Sequence, residues 1–324
     1  MTTPRRHHYV PQSYLRRFSR GSKIAVYDKP TGRIFRCNMS NVAVQQGFYH
    51  LPDRPVPDPS NPGLALRVDP QAVERLLSDY ETAHSTAISR LLSDVERAGV
   101  GGAFSPDHRG AVSPFVVLQL VRTIEFRTLA MQASQGIEAR LALISKALWS
   151  RDQPGTEPPT RRSTELTDEQ LAALQAIEML SPGKAARYRS VIEGHIWSVG
   201  ITTADTPLYT SDHPVVYEAQ KGVFPGGRRL GLGIGSPYVE IAVPLNPKYL
   251  LHMYDRVGFA ERVAADCTCV RMTQENINYY NRLQVFRSTR QVYSQTTDDF
   301  SLAHELCEAY PDLRDPHRPR VSIW

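Results

Sequence analysis

Cysteine, lysine and long apolar runs are scarce in this chain of 324 residues. The four cysteines are too few for the disulfide framework of a small secreted protein. No stretch reaches the roughly 18 to 20 uncharged apolar residues that a membrane-spanning helix needs, and the N-terminus lacks the apolar segment of a secretory signal. With 41% hydrophobic and 22% charged residues, the composition predicts a soluble globular protein with no membrane partner and a cytoplasmic location.

The scarcity of lysine leaves arginine as the main source of positive charge. Six lysines stand among 38 basic residues, so 38 − 6 = 32 are arginines, and the formal net charge is +5. A basic surface is compatible with a nucleic acid or a nucleotide as partner, although such an arginine bias is also common in proteins from GC-rich genomes. The arginines at positions 5, 6, 16, 17 and 20 cluster around an adjacent histidine pair.

Hydrophobic periodicity predicts strands, then helices, then strands. The stretch SKIAVYDKPTGRIF predicts a hairpin that turns at Asp28–Gly32. A long helix is expected from Asp69-Pro70 to Gly99, and a second from Ser113-Pro114 to about Trp149, with a break near Gly136. The pattern Thr167-Asp-Glu-Gln170 predicts the capping box of a further helix. Proline-rich segments at 52–63 and 150–163 predict a loop and a linker.

This order of elements predicts an α+β fold in a single domain over residues 1–300. It comprises an N-terminal β-hairpin arm (1–50), a central long-helix bundle (66–196) and a C-terminal part with a mostly antiparallel β-sheet (197–300). A C-terminal tail follows at 301–324. Within the last part, Cys267 and Cys269 alternate with apolar residues as in a strand, which favours buried reduced thiols over a metal site.

The histidine pair His7-His8 begins the stretch HHYVPQ. An expression tag would be longer and would precede a linker, whereas this pair leads directly into Tyr9-Val10-Pro11. Neighbouring side chains on a strand point to opposite faces, so one histidine can act chemically while the other packs. An ordinary N-terminal strand is the alternative.

The two long helices carry polar residues next to or among their apolar positions. Glu74, Glu81 and His84 share one face of the first helix. The E-x-x-H spacing of Glu81 and His84 is that of helical di-metal sites, but the chain has no second such motif, so a solvated helix edge is the alternative. In the second helix, Gln119, Arg122 and Arg127 lie among apolar residues and are expected to be buried.

A buried arginine needs a carboxylate or a bound anion as partner. Glu81, Asp212 or a bound anion could serve Arg122, and a purely structural salt bridge is equally consistent with the pattern. Ser211 and Asp212 lie at a predicted strand end, where Asp212 either points into a site or forms a local turn.

Several phrases, among them HHYVPQSYLRRFS, VLQLVRTIEFR, LYTSDHPVV and NRLQVFRSTRQVYS, occur in the order found in a bacterial family. The chain resembles the family catalogued as domain of unknown function 4238 over roughly residues 5 to 295. The family pattern often has Asn-Pro where this chain has His213-Pro214. The resemblance implies one full-length domain and a set of recurring polar residues, but it supplies no reaction. These residues are His7, His8, Gln12, Glu81, Gln119, Arg122, Arg127, Ser211 and Asp212.

Such a set is typical of hydrolysis at a phosphate or acyl centre, with or without a metal. We expect a hydrolase of a phosphodiester or nucleotide, such as a metal-dependent nuclease with a defence- or toxin-like role. His7 or His8 would be the general base or a metal ligand, Glu81 and Asp212 would bind a divalent metal ion, and Arg122 and Arg127 would stabilise phosphate charge. Gln12, Gln119 and Ser211 would bind substrate. A non-catalytic nucleic-acid-binding or sensor protein and an enzyme of a small metabolite are the alternatives.

Overall fold

The computed structural model describes residues 6–51, 54–57, 64–66, 69, 71–152, 166–202, 206–219 and 233–320. Of the predicted loop at 52–63 only residues 54–57 are described, and the predicted linker lies outside the described residues from position 153 to 163. Helices and mostly antiparallel sheets fill the described ranges, which confirms the α+β fold with an N-terminal hairpin and a C-terminal sheet. None of the described helices combines the length and the apolar character needed to cross a membrane.

The N-terminal arm contains short strands around one helical turn. Its elements are β1 (Arg6–His8), α1 (Gln12–Leu15), β2 (Lys23–Asp28), β3 (Arg33–Asn38) and β4 (Val44–Gln46). Strand β1 pairs antiparallel with β4. Strands β2 and β3 form the predicted hairpin, whose turn brings the amides of Thr31 and Gly32 to the Asp28 carbonyl. Gly32 has φ +66, a conformation that residues with a Cβ rarely adopt.

The middle of the chain is mostly helical. After the short strands β5 (Val56–Pro57) and β6 (Ala65–Leu66) come α2 (Ala72–Ala98), α3 (His108–Val121), α4 (Ile124–Asp152), α5 (Asp168–Leu180) and α6 (Pro182–Gly194). Helix α2 ends at Gly99, which has φ +66, where the sequence predicts its end. The capping box of α5 is present, with the Thr167 and Gln170 side chains each accepting the other residue's amide. Local capping signals therefore located these helix ends well.

The second long helix differs from its prediction in two places. It begins at His108 rather than at Ser113-Pro114, and its break lies at Arg122–Thr123 rather than near Gly136. The carbonyls released by this break accept hydrogen bonds from distant side chains. Gln175 Nε2 donates to the carbonyls of Val121 (2.8 Å) and Thr123 (3.1 Å), and the Tyr49 hydroxyl donates to that of Arg122 (2.8 Å). Partners so far apart in sequence leave no local signal.

The C-terminal part holds two sheets. Its elements are β7 (Ile196–Ile201), β8 (Thr210–Ser211), β9 (Val216–Ala219), β10 (Val239–Pro244), β11 (Tyr249–Tyr254), β12 (Thr268–Arg271), α7 (Gln274–Arg287), β13 (Gln291–Ser294) and α8 (Ser301–Ala309). A five-stranded sheet has the order β12-β7-β11-β10-β9 and is antiparallel except for the β12–β7 pair. A four-stranded sheet of order β3-β2-β13-β8 joins the N-terminal hairpin to the far end of the chain.

The five-stranded sheet is covered by helices on both faces. Trp197, Val199 and Leu251 on one face belong to the large apolar core that also contains helix residues such as Ile88. On the other face, apolar residues including Leu250 pack with Leu283 of α7. Burying both faces of a sheet removes a large apolar area from water, which is the main stabilising contribution to such a fold.

Smaller features complete the fold. Cys267 and Cys269 are buried free thiols, as predicted. Residues 301–320 contain α8 and pack on the four-stranded sheet, with Leu306 next to Tyr27 in one apolar cluster. Near the end of this segment Arg320 Nε lies 2.9 Å from Glu125 Oε2, and the two side chains are 4% and 3% exposed. The C-terminal segment thus reaches the start of α4.

Candidate functional site

The N-terminal arm lies against the end of α3. Arg122 Nη2 donates to the His8 carbonyl at 2.6 Å, and Gln119 Nε2 donates to the Tyr9 carbonyl at 3.1 Å. Both donors bond to backbone atoms, so they fix the path of the arm whatever its side chains are. This contact brings the histidine pair next to the polar residues of the helices.

His7 is fully bonded. Its Nδ1 accepts the Tyr49 amide at 3.0 Å, so Nε2 carries the proton and donates to Glu74 Oε1 at 2.7 Å. Both ring nitrogens therefore have partners within the protein. This geometry suits a histidine that docks the arm on α2.

His8 is bonded less completely. The Gln12 side-chain amide lies 2.8 Å from Nε2, while the buried Nδ1 makes no well-formed hydrogen bond within the described residues and has the Val42 carbonyl near it. Burial lowers the pKa of His8; the nearby Val42 carbonyl opposes this shift, and the charges of Arg6 and Arg122 add to it. The ring is therefore neutral at pH 7, with one nitrogen held by Gln12.

Glu81 and His84 lie one helical turn apart on α2, beside Arg122. Arg122 Nη2 is 3.7 Å from Glu81 Oε1; the Arg122 side chain is 2% exposed and that of Glu81 is 40% exposed. Burial, followed by the charge of Arg122, lowers the pKa of His84 to about 4. Within the part of the chain that the structure describes, His84 Nε2 and Arg122 Nε are buried without hydrogen-bond partners. We name His8, Gln12, Glu81, His84 and Arg122 the arm site.

A small hollow of about 10 Å³ borders the arm site at Glu81 and His84, close to the smallest space that holds one water molecule. Arg17 also lines it, and Arg17 Nη2 donates to the Ser85 carbonyl (2.9 Å) and to Ser89 Oγ (2.8 Å). Ser85 further lines an open groove of about 550 Å³ along α2, the α2 groove. The α2 groove is lined by Ser85, Thr86, Ser89, Arg90, Ser93, Asp94, Arg97 and His108.

Ser211, Asp212 and His213, here named the strand-end cluster, are bonded inside the protein. Asp212 Oδ1 accepts the Thr289 amide at 2.8 Å, and Oδ2 accepts the amides of Arg290 (2.7 Å) and Gln291 (2.8 Å). Burial raises the pKa of Asp212, and the charge of Lys29 opposes that shift most strongly. The Asp212 carboxylate thus caps the start of β13.

The other two members of the strand-end cluster also have partners. Ser211 Oγ lies 2.7 Å from Gln284 Oε1, and His213 Nδ1 lies 2.9 Å from Thr123 Oγ1. The cluster therefore reaches the α3–α4 break from the side of the sheet. Burial lowers the pKa of His213 to about 4, so this ring is neutral too.

Arg127 is held by protein groups on several sides. Its Nε donates to Gln175 Oε1 at 2.5 Å, Nη2 donates to the Phe48 carbonyl, and the guanidinium lies 3.8 Å over the Phe48 ring. Burial lowers the pKa of Arg127 to about 10. The side chain is engaged in packing α4 on the arm and on α5.

The structure thus brings together His8, Gln12, Glu81 and Arg122 from the predicted set, with His7 and Gln119 holding the arm in place. Arg127, Ser211 and Asp212 lie outside the arm site and contact other parts of the protein. His84 belongs to the arm site although the predicted set omits it; its spacing of three residues from Glu81 was the available signal. The described ranges contain no group of three or more His, Cys, Asp or Glu side chains that could hold a metal ion, so metal binding by Glu81 and Asp212 stays a prediction.

Comparison with known proteins identifies a family. The chain belongs to the family described as protein of unknown function (DUF4238), whose model matches residues 6–298. No curated protein and no solved structure matches the chain. The match begins at the first strand of the arm and includes every residue of the arm site.

Proposed function

We propose that the protein is a hydrolase of phosphodiester bonds in a nucleotide or nucleic acid, with the arm site as its catalytic centre. The observation that carries this proposal is the convergence of three chain segments on Glu81. At this point a buried guanidinium, a partly exposed carboxylate and a neutral histidine, one of whose nitrogens has no partner among the described residues, lie together. A phosphate ester needs such a set of anion-stabilising and proton-accepting groups.

In the proposed reaction, His84 Nε2 accepts a proton from a water molecule that Glu81 orients. The water oxygen attacks phosphorus, the P–O bond to the leaving alcohol breaks, and the leaving oxygen takes a proton from solvent. Arg122 and Arg17 stabilise the charge on the phosphoryl oxygens. Bound phosphate also neutralises Arg122, which removes the smaller of the two causes that lower the pKa of His84 and so makes His84 a somewhat stronger base, while burial continues to lower that pKa.

The α2 groove supports a polymeric substrate. Arg90 and Arg97 line it, and it meets the hollow at Ser85. Asp94, the acidic residue of the groove, already contacts Arg97 Nη1 (3.2 Å) and His108 Nε2 (3.1 Å), which reduces its repulsion of a phosphate backbone. A single-stranded nucleic acid lying along α2 would place one phosphodiester next to Glu81.

Substitution of Glu81 and His84 tests the proposal. Glu81→Gln keeps the side-chain shape, His84→Asn keeps a polar side chain without the titratable ring, and each is expected to lower phosphodiester hydrolysis by about 100-fold. Turnover is measured with bis(p-nitrophenyl) phosphate, single-stranded DNA and RNA, and folding is followed by urea denaturation. Asp79→Asn is the matched control, because Asp79 is exposed on the same helix and loses the same charge. Full activity in both arm-site variants, or no hydrolysis by the wild type, would contradict the proposal.

Non-catalytic binding of nucleic acid is the second candidate, favoured by the arginine-lined α2 groove. Steep salt dependence of single-strand binding without turnover would support it. Arg90→Ala is then expected to weaken binding several-fold, whereas Arg36→Ala on the exposed strand β3 is not. Sensing, action on a small metabolite, a defence- or toxin-like role and a cytoplasmic location stay predictions.

A further inference from the structure

A second polar region lies between the five-stranded sheet and α7, away from the α2 groove. The sheet face under α7 buries Ser198, Glu240 and His252, which are 4%, 4% and 3% exposed. Tyr280 of α7 packs on the His252 ring, with centroids 4.7 Å apart. An interface that served packing alone would be apolar here, because burying polar groups costs free energy unless they are bonded.

The polar residues surround a cavity of about 260 Å³, which we name the sheet cavity. Its size is just below the range of about 300–1,000 Å³ typical of small-molecule sites. Apolar side chains such as Val270 and Met272 supply part of the wall. The polar lining is Ser198, His252, Tyr254, Arg262, Arg271 and Asn276, with Tyr280 beside them.

His252 is the buried group whose bonding is incomplete. It lies directly opposite Ser198 on neighbouring antiparallel strands, with Nδ1 3.4 Å from Ser198 Oγ. Its Nε2 is buried and has no partner among the side chains and backbone that the structure describes. Burial lowers the pKa of His252 to about 3, so the ring is neutral. When Ser198 donates to Nδ1, Nε2 carries the proton and can donate to a ligand.

An exposed arginine lies at the cavity mouth. Arg262 is 48% exposed, its guanidinium lies 4.6 Å over the Tyr254 ring, and its Nε is 3.8 Å from Oε1 of Glu261, which is 68% exposed and is not part of the lining. Glu240 lies behind Tyr280, whose hydroxyl donates to its carboxylate, and it is not part of the lining. An anionic ligand would therefore meet an arginine at the mouth and a histidine N–H inside.

Gly200 makes room for the histidine. A Cβ at this position would lie 2.8 Å from His252 Cε1 and 2.6 Å from Met272 Sδ. The absence of a side chain at Gly200 thus allows the His252 ring and the Met272 side chain, which both line the cavity, to lie close to β7.

We infer that the sheet cavity binds a small organic anion that carries a carboxylate or phosphate on an apolar or aromatic body. The acid group contacts Arg262, a polar atom contacts His252 Nε2, and the body lies against Tyr254 and Tyr280. This site is separate from the arm site, since the two share no lining residue.

Calorimetric titration with benzoate and with phenyl phosphate tests the inference and separates the two acid groups. At least one probe is expected to bind the wild-type protein with a dissociation constant below about 10 mM. Arg262→Ala, at an exposed position that tolerates change, and His252→Phe, which keeps the aromatic shape, are each expected to weaken binding by about tenfold. Urea denaturation checks that the His252 variant folds.

Two matched variants serve as controls. Arg36→Ala removes an exposed arginine from β3, and Glu81→Gln changes the arm site; both are expected to bind the probe as wild type does. Binding that is unchanged in the Arg262 variant, or lost only in the Glu81 variant, would overturn the inference. Failure of both probes to bind wild type at about 10 mM would also overturn it.

Discussion

The arm site and the strand-end cluster each contain a carboxylate and histidine, but they differ in how completely their polar atoms are bonded. In the strand-end cluster the Asp212 carboxylate accepts three backbone amides. In the arm site Arg122 Nε has no partner within the described ranges, and Arg122 Nη2 lies 3.7 Å from the Glu81 carboxylate. Because buried polar groups in structural networks are nearly always bonded, incomplete bonding next to a partly exposed carboxylate and a hollow is what marks the arm site as the candidate for ligand chemistry.

The largest expected difference between the two regions concerns stability. Asp212→Ala is expected to lower the free energy of unfolding by about 3–5 kcal/mol, because it leaves three amides unbonded and the buried Lys29 without its neighbouring carboxylate. Glu81→Gln, which keeps an oxygen next to the buried Arg122 guanidinium and changes a 40% exposed side chain, is expected to change it by about 1 kcal/mol or less. Urea denaturation measures both, with Asp212→Asn as the variant that preserves shape. Equal effects in the two regions would remove the distinction between them.

The next largest effect is the pH dependence of stability. The pKa of His213 is about 4 in the folded protein and about 6.5 in an unfolded chain. As pH falls, His213 is therefore protonated in the unfolded state before it is protonated in the folded state. Its contribution to the free energy of unfolding is complete above about pH 6.5 and decreases by about 3 kcal/mol as pH falls to 4.

Urea denaturation at about pH 7, 6, 5 and 4 measures this decrease in the free energy of unfolding. His213→Asn keeps a group that can bond Thr123 but does not titrate, so it is expected to flatten the slope. His84→Asn is expected to do the same in the arm site, since the pKa of His84 is also lowered to about 4. An unchanged slope in both variants would show that these rings do not titrate on unfolding.

The smallest expected effects distinguish a residue that stabilises the fold, Ser211, from one that supports hydrolysis, Gln12. Ser211→Ala removes the hydroxyl that bonds Gln284 and is expected to lower the free energy of unfolding by about 1–2 kcal/mol. Gln12→Ala is expected to change it by less than about 0.5 kcal/mol and to lower hydrolysis by about tenfold, because the Gln12 amide holds the His8 ring and the His8 carbonyl holds Arg122 in position. Paired denaturation and turnover measurements separate the two outcomes. A reversed pattern, with Gln12 affecting stability and Ser211 affecting turnover, would exchange the roles assigned to the regions.

Features with a local cause could be predicted from the sequence. The hairpin turn at Gly32, the end of α2 at Gly99 and the capping box at Thr167 each depend on residues within a few positions. The helix break at Arg122–Thr123 could not be predicted, because Tyr49 and Gln175 bond its carbonyls from distant positions. Gly136 lies within α4 even though glycine weakens helices.

For the candidate site too, the sequence could indicate residues but not the long-range contacts that give them their roles. A recurring pattern selected Glu81 and Asp212 alike, and only their hydrogen bonds separate them. The sheet cavity gave no sequence signal, because Ser198 and His252 become neighbours through strand register alone. His84 was visible in the E-x-x-H spacing, yet its significance depends on Arg122, which lies on another helix.

The pairing of β2 with β13 has a consequence for synthesis of the chain. Asp28 of the hairpin lies opposite Gln291, 263 positions later. At ordinary translation rates of about 5–20 residues per second, roughly 15–50 seconds separate the two strands. Throughout that interval β2 exposes an unpaired edge that can pair with another nascent chain. The hairpin is therefore a segment that needs protection on the ribosome, although it can form early in synthesis.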